Sequence, residues 1–254
     1  MAENTGILWT DNTWNPWQGC HKVSPGCLNC YMYRDKNRYG QDPATVIRSK
    51  PATFNLPLKW KEPAKVFICS WSDFFIEEAD PWRDEAWEII RKTPHLTYQI
   101  LTKRPENIAA RLPKGWPFKN GWLGVTAENQ EMADRRIPIL LLTPAALRFV
   151  SVEPMVGEVD LTRIDVGDAC TYDSLAGVFQ GPGIRCQGDD HKKIDWVICG
   201  GESGPEARTM EEDWAEYLKV QCAVSGTPFF MKQMSAGAPI PEKLQGQEFP
   251  KVSA

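Results

Sequence analysis

The sequence predicts an α/β fold, most simply a full or partial (β/α) barrel of about six to seven parallel strands. Short apolar runs alternate with helical patterns, and this alternation is typical of parallel sheets with right-handed crossovers. A length of 254 residues is common for one α/β barrel, and an apolar content of 42% supplies a large core. Six or seven such units favour a barrel over an open doubly wound sheet.

The predicted strands are apolar throughout rather than alternating, as expected for parallel strands that are buried on both faces. Residues 7–9 are a candidate for a short additional strand at the start of the chain. The six main runs cover residues 66–70, 98–102, 122–126, 147–152, 196–199 and 228–231.

Five helices are predicted between these strands. Asp80 is expected to cap one of them, with Pro81 at its first helical position. Gly40 and Gly226 are expected to close the first and the last helix. The helical patterns cover residues 31–39, 80–91, 105–112, 129–142 and 211–225.

One segment, at about residues 157–193, interrupts the alternation. It is rich in Gly and Asp and has weak periodicity, which predicts an insertion or lid within a single barrel domain that covers residues 1–254. Cys170, Cys186 and His191 lie in this segment. They are a candidate second metal site, but their irregular spacing favours isolated thiols.

The composition excludes several classes of protein. A net charge of −4 provides no general attraction for nucleic acid, so DNA binding would require a local basic patch. No apolar run reaches the roughly 18 residues that a membrane span requires, and the first residues lack the basic and apolar regions of a signal peptide. We therefore expect a cytoplasmic protein without a membrane partner, whose eight cysteines are reduced or metal-bound rather than paired.

The most informative motif is a loop of three cysteines, Cys20, Cys27 and Cys30, with Pro25 and Gly26 forming a turn inside it. Thiolates are soft ligands that suit zinc, copper(I) and iron–sulfur clusters. Three thiolates without a nearby fourth fit a zinc site that is completed from elsewhere. They also fit a cubane iron–sulfur cluster with one iron open to a ligand. Three buried thiols without a metal are the simplest alternative.

Polar residues follow every one of the six predicted strands. In parallel α/β proteins the chemistry gathers at the carboxyl ends of the strands, so we expect these residues to meet at one rim. A helix cap or a solvated loop is the ordinary explanation for any single one, and Asp73 and Glu202 in particular suit caps. In chain order the candidates are Ser70, Ser72, Asp73, Lys103, Arg104, Thr126, Glu128, Asn129, Glu153, Glu202, Lys232 and Gln233.

The candidate residues differ in what they can bind. Carboxylates accept hydrogen bonds from amino groups and ribose hydroxyls, whereas Lys103, Arg104 and Lys232 can hold a carboxylate or a phosphate. Gly200 and Gly201 allow the backbone to approach a ligand closely. The chain lacks a P-loop and a His-Glu-x2-His motif. Its three histidines argue against a histidine triad or a multi-histidine metal centre.

A cysteine loop ahead of an α/β barrel resembles the radical S-adenosylmethionine (SAM) enzymes. Their usual motif is Cys-x3-Cys-x2-Cys, and this chain differs only in the first gap, which has six residues. A closer resemblance, over nearly the whole chain, is to a little-characterised radical-SAM-like family that is common in bacteriophages. The motifs that carry it are Trp9-Thr10-Asp11, Trp14-Asn15-Pro16-Trp17, Gly19-Cys20, Leu101-Thr102-Lys103-Arg104-Pro105, Glu153-Pro154, Gly200-Gly201-Glu202-Ser203-Gly204 and Lys232-Gln233.

The resemblance implies a radical-SAM-like barrel with a 4Fe–4S cluster on Cys20, Cys27 and Cys30 and with SAM as second cofactor. Reductive cleavage would yield a 5′-deoxyadenosyl radical that abstracts hydrogen from the substrate. The implied SAM contacts are Ser70, Ser72 and Asp73 for the methionine amino group and Thr126, Glu128 and Asn129 for the ribose. Glu153, Glu202, Lys232 and Gln233 are the candidate catalytic residues, and Lys103 and Arg104 the candidate substrate contacts.

The implied substrate is small or nucleotide-linked. For a phage protein it would be a hypermodified, thymine-derived base in DNA, and the reaction an isomerisation or another modification. The implied partners are this substrate, DNA and an external electron donor of the flavodoxin or ferredoxin type. The implied location is the cytoplasm of the host.

Two other functions remain open from the residues. The first is a zinc-stabilised module that binds nucleic acid or protein without catalysis. The second is a metal-free barrel enzyme that uses the rim carboxylates as general acid and base. The first predicts colourless, zinc-containing protein, and the second predicts that Cys27→Ala leaves activity intact.

Overall fold

The computed structural model, which describes residues 5–181 and 192–251, confirms the predicted α/β class. A parallel sheet of seven strands forms a partial (β/α) barrel. The strands are β1 (Asn12–Trp14), β2 (Trp17–Gln18), β3 (Ile47–Arg48), β4 (Ala64–Ile68), β5 (Leu96–Thr102), β6 (Gly121–Thr126), β7 (Leu147–Val152), β8 (Ile164–Asp165), β9 (Thr171–Asp173), β10 (Val178–Gln180), β11 (Trp196–Gly200) and β12 (Phe229–Gln233). The helices are α1 (Tyr31–Arg38), α2 (Pro51–Phe54), α3 (Asp80–Lys92), α4 (Ile108–Arg111), α5 (Gln130–Leu142) and α6 (Glu212–Ser225).

The strand order in the large sheet is β1-β4-β5-β6-β7-β11-β12. All six main predicted strands are present in it. The seventh strand is Asn12–Trp14, so the prediction of a strand at residues 7–9 is wrong. Trp9 is instead buried against Phe67 in the turn before β1. β1 contains buried polar residues, so it does not appear in the sequence as an apolar run.

The chain divides into two compact units. Unit 1 comprises Met1–Gly124 and Thr143–Leu147, and unit 2 comprises Val125–Leu142 and Arg148–Ala254. Strands β1, β4 and β5 therefore belong to unit 1, and β11 and β12 to unit 2. The breakpoints lie within β6 and β7.

The core of unit 1 is aromatic. Trp14 and Trp17 are fully buried, and their indole N–H groups donate to the carbonyl oxygens of Phe54 and Asp73, both at 3.1 Å. Large aromatic side chains bury much apolar area, and an indole N–H requires an acceptor when it is buried. These two tryptophans are therefore core residues that fix β1 and β2 next to the cysteine loop.

The core of unit 2 forms around β11, whose five residues are all buried. The segment before β11 contains β8, β9 and β10, which pair as a small antiparallel sheet. The predicted insertion thus departs from the parallel pattern. Within it Cys170 is disulfide-bonded, which contradicts the expectation of an isolated reduced thiol. Cys186 and His191 lie outside the described residues.

The predicted helices occur close to their expected positions. Gly40 and Gly226 follow the first and the last with φ of 64° and 70°. The prediction that Asp80 caps α3 is wrong, because Asp80 already has helical backbone angles and Ala79 is the cap residue. In the described part of the chain, none of the helices combines the length and the apolar character that a membrane crossing requires.

Candidate functional site

The cysteine loop connects β2 to α1 in unit 1. Cys20 follows β2 after one glycine, Cys27 ends a short 3-10 turn, and Cys30 directly precedes the first residue of α1. All three thiols are partly exposed. The strand–loop–helix order therefore places three soft donors on eleven consecutive residues.

Gly19 allows this loop to begin. Its φ is +99°, and a Cβ at this position would lie 2.2 Å from the carbonyl oxygen of Thr45. An L-residue would therefore be both strained and blocked by backbone. The entry of the chain into the cysteine loop thus requires glycine.

The segment after β4 ties the cysteine loop to the sheet. The Ser72 hydroxyl donates to Gly19 O at 2.6 Å, and the Tyr31 hydroxyl donates to Ser70 O. The Ser70 side chain in turn exchanges hydrogen bonds with Asn15, at 2.9 and 3.3 Å. Two of the predicted SAM contacts, Ser70 and Ser72, are thus adjacent to the cysteine loop and are partly exposed.

Asp73 and Arg104 connect the ends of β4 and β5 to the same loop. The Asp73 carboxylate is 5% exposed and accepts the Thr102 hydroxyl at 2.7 Å and the Lys103 N–H at 2.9 Å. Arg104 lies 3.4 Å from this carboxylate and donates to Cys20 Sγ at 3.5 Å. Asp73 is therefore the centre of a hydrogen-bond network, and not the helix cap that the sequence suggested.

The surroundings of the cysteine loop disfavour negative charge unless a cation compensates it. Burial and, to a smaller extent, the Asp73 carboxylate raise the pKa of the Cys20 thiol to about 12, and Arg104 opposes both. Burial also raises the pKa of Tyr33, with added contributions from Cys20, Cys30 and Cys27. All three thiols therefore interact electrostatically with the phenol of Tyr33. A metal that binds them has to displace protons.

The donor types fit a thiolate-bound metal or cluster, because three soft ligands come from one anchored loop. Across residues 5–181 and 192–251, however, no three His, Cys, Asp or Glu side chains form a group that could hold a metal ion. The thiols are therefore not preassembled into a closed site. One further thiol of unit 1, Cys69, is buried and interacts electrostatically with Cys20, and its place within an apolar strand run gives no sequence signal of this contact.

Unit 2 carries two charged pairs at the ends of its strands. Lys232, at the end of β12, donates to Glu153, which follows β7, and both side chains are less than one fifth exposed. Glu202, after β11, accepts hydrogen bonds from the backbone N–H and the guanidinium of Arg208. Arg208 lies far in sequence from any predicted strand end, so the pattern of polar residues after the strands did not indicate it.

The glycine pair at the end of β11, Gly200 and Gly201, has a packing role. A Cβ on Gly201 would lie 2.4 Å from the backbone nitrogen of Ser235, whereas a Cβ on Gly200 would lie 3.4 Å from the Glu153 side chain. The Gln233 amide donates to Gly201 O at 2.8 Å. The close approach that Gly201 permits is therefore to the chain's own backbone at Ser235, and not to a ligand.

The predicted ribose contacts in unit 2 have structural partners. Glu128 is fully buried and accepts from Arg136 at 2.7 Å, and Thr126 O accepts from the same side chain at 2.9 Å. Asn129 Oδ1 accepts the N–H of Met132 at 3.0 Å, as the cap of α5. Because its carboxylate is fully buried and paired with Arg136, Glu128 has a structural role in this fold, and its predicted contact with a ribose stays a prediction. Arg136 likewise faces the interior.

The fold and the site place this chain among the parallel α/β proteins, with a cysteine loop between its first strand and its first helix. The chain belongs to a family described as protein of unknown function, DUF5131, whose model matches residues 4–249. No curated protein matches the chain significantly, and neither does any solved structure.

Proposed function

We propose that this protein is a radical SAM enzyme that binds a 4Fe–4S cluster through Cys20, Cys27 and Cys30. The observation that carries the proposal is the position of the cysteine loop. It lies between the edge strand β1 and helix α1, directly after β2, and hydrogen bonds at Ser70 and Ser72 tie it to the segment after the carboxyl end of β4. Active sites of parallel α/β proteins form at this edge.

A bound cluster would supply the electron that cleaves SAM to methionine and a 5′-deoxyadenosyl radical. In this proposal the protein itself holds the cofactors, orients the substrate and excludes water. Ser70 and Ser72, which are partly exposed, remain candidates for the amino group of SAM. Asp73 is almost fully buried, so it supports the loop through its hydrogen bonds rather than by direct contact.

The charged pairs of unit 2 support a substrate that carries an amino acid. Lys232 suits a carboxylate and Glu153 suits an ammonium group, and both side chains keep some exposure to solvent. Glu202 and Arg208 repeat this combination of charges. We therefore propose an isomerase or modification enzyme that acts on an amino-acid adduct of a thymine-derived base in DNA.

The test is anaerobic purification followed by iron and sulfide analysis, and then a SAM-cleavage assay with dithionite. We expect brown protein with about four irons and 5′-deoxyadenosine as a product. Cys20→Ala, Cys27→Ala and Cys30→Ala should each remove the iron. Cys222→Ala is the matched control, because Cys222 is a buried free thiol of unit 2.

Two outcomes would contradict the proposal. Colourless protein that retains zinc, and that loses it in Cys27→Ala, would support the zinc-stabilised binding module. Protein that binds no metal, with cysteine variants that behave as wild type, would favour a metal-free enzyme.

A further inference from the structure

Arg104 is almost fully buried beside the cysteine loop, and its guanidinium bridges three groups. Nη1 donates to Cys20 Sγ at 3.5 Å and lies 3.4 Å from Asp73 Oδ2, and Nη2 donates to the carbonyl oxygen of His21 at 2.8 Å. The residue is 5% exposed. Its N–H groups are thus committed to the loop that carries the first cysteine.

The position of this guanidinium is fixed from the opposite side. Asp73 is held by the Thr102 hydroxyl at 2.7 Å and by the backbone N–H groups of Lys103 and Phe75, both at 2.9 Å. Three donors around one buried carboxylate leave it little freedom to move. The direction of Nη1 toward the sulfur is therefore set by the ends of β4 and β5.

We propose that Arg104 is a positioning residue that holds Cys20 in place and raises the reduction potential of the cluster. This inference rests on the proposed function. A hydrogen bond to a ligand sulfur favours the more negative, reduced state of an iron–sulfur cluster, so it raises the potential. A bond from a charged donor is roughly twice as strong as a neutral one.

This role differs from the substrate contact that the sequence suggested for Arg104. A carboxylate or phosphate of a substrate would have to displace Asp73 or the carbonyl oxygen of His21 from a buried guanidinium. Lys103 is partly exposed, and its predicted contact with a substrate stays open.

The test compares Arg104→Met with wild type in a potentiometric titration of the reconstituted protein, followed by electron paramagnetic resonance. We expect about a tenfold lower ratio of reduced to oxidised cluster at a fixed potential, which is a shift of about 59 mV for one electron. Arg34→Met is the matched control, because it removes the same charge from the exposed face of α1. Arg104→Lys should restore part of the shift.

The outcomes separate this inference from the proposed function. Wild-type protein without a cluster would contradict the proposed function itself. A cluster whose potential is the same in wild type and Arg104→Met would overturn the role of Arg104 alone, as would an equal shift in Arg34→Met. If Arg104→Met retains its circular dichroism but loses iron, positioning is supported. If Arg104→Met does not fold, Arg104→Lys decides by the same potential measurement, and failure of both variants to fold would overturn the proposal.

Discussion

Arg136 donates from Nη1 to Glu128 Oε2 across 2.7 Å, in a place where the Glu128 side chain has no exposure and that of Arg136 only 3%. Arg136 also donates to Thr126 O, so it links α5 to the end of β6. A buried charge without its partner is costly, because desolvation is then uncompensated.

We expect Arg136→Met to lower the free energy of unfolding by about 3 to 5 kcal/mol. Arg135→Met is the control, since Arg135 is exposed at the neighbouring position, and it should change stability by less than about 0.5 kcal/mol. Denaturant unfolding of both variants measures the difference. Equal stability of the two variants would contradict the structural role assigned to the pair.

Gly19→Ala should disrupt the cysteine loop. The added Cβ would meet Thr45 O, so the loop has to move away from the segment before β3 as well as adopt a strained φ. We expect a loss of at least about 2 kcal/mol of stability together with reduced iron content.

Gly40→Ala is the matched control for Gly19→Ala. Gly40 also has a positive φ, but no atom lies within 4 Å of the position that an added Cβ would occupy. We therefore expect only the conformational cost of about 1 kcal/mol and normal iron content. Unfolding curves and iron analysis of the two variants provide the comparison. Normal iron in Gly19→Ala would show that the loop does not depend on this close approach.

The two glycines at the end of β11 should respond differently to alanine. Gly201→Ala places a methyl group 2.4 Å from the backbone nitrogen of Ser235, where nothing can rotate away, so we expect a loss of about 2 to 4 kcal/mol. Gly200→Ala makes only ordinary contacts, with the Glu153 side chain at 3.4 Å and with Lys232 Cβ at 3.5 Å, and we expect stability to change by less than about 1 kcal/mol. Thermal and denaturant unfolding distinguish the two. A greater loss in Gly200→Ala would mean that the glycine pair serves the Glu153 site rather than backbone packing.

Asp80 should make stability depend on acid pH. The hydrogen bonds from Arg111, at 2.8 and 3.1 Å, lower the pKa of Asp80 in the folded protein. A carboxylate with a lowered pKa stabilises the fold above its unfolded pKa of 3.8, and this contribution is lost as the pH falls through the folded value.

We therefore expect Asp80→Asn to lower the melting temperature by about 1 to 3 °C at neutral pH. The difference from wild type should shrink as the pH falls below 3.8 and through the lowered pKa of folded Asp80, because wild-type Asp80 then becomes protonated as well. Asp84→Asn, on the exposed side of the same helix, is the control. A difference that is constant with pH would contradict the ion pair between Asp80 and Arg111.

Local patterns predicted the large elements of the fold. The apolar runs at β4, β5, β6, β7, β11 and β12 have a composition that only a doubly buried strand satisfies, and the glycines after α1 and α6 provide the left-handed residue that ends a helix. Local patterns did not predict β1, because its polar residues are satisfied by partners distant in sequence. Thr10, just before it, bonds to Lys65 O, which lies 55 residues away.

The order of residues along the chain is enough to place three cysteines on one loop and polar side chains after the strands. What each polar side chain contacts depends on the folded chain. Glu128 and Arg136 turned inward, Asp73 became the support of Arg104, and Glu153 paired with Lys232. The physical reason is that strand ends and loops are fixed by local rules. The environment of a charge, in contrast, depends on partners that are brought together only when the chain folds.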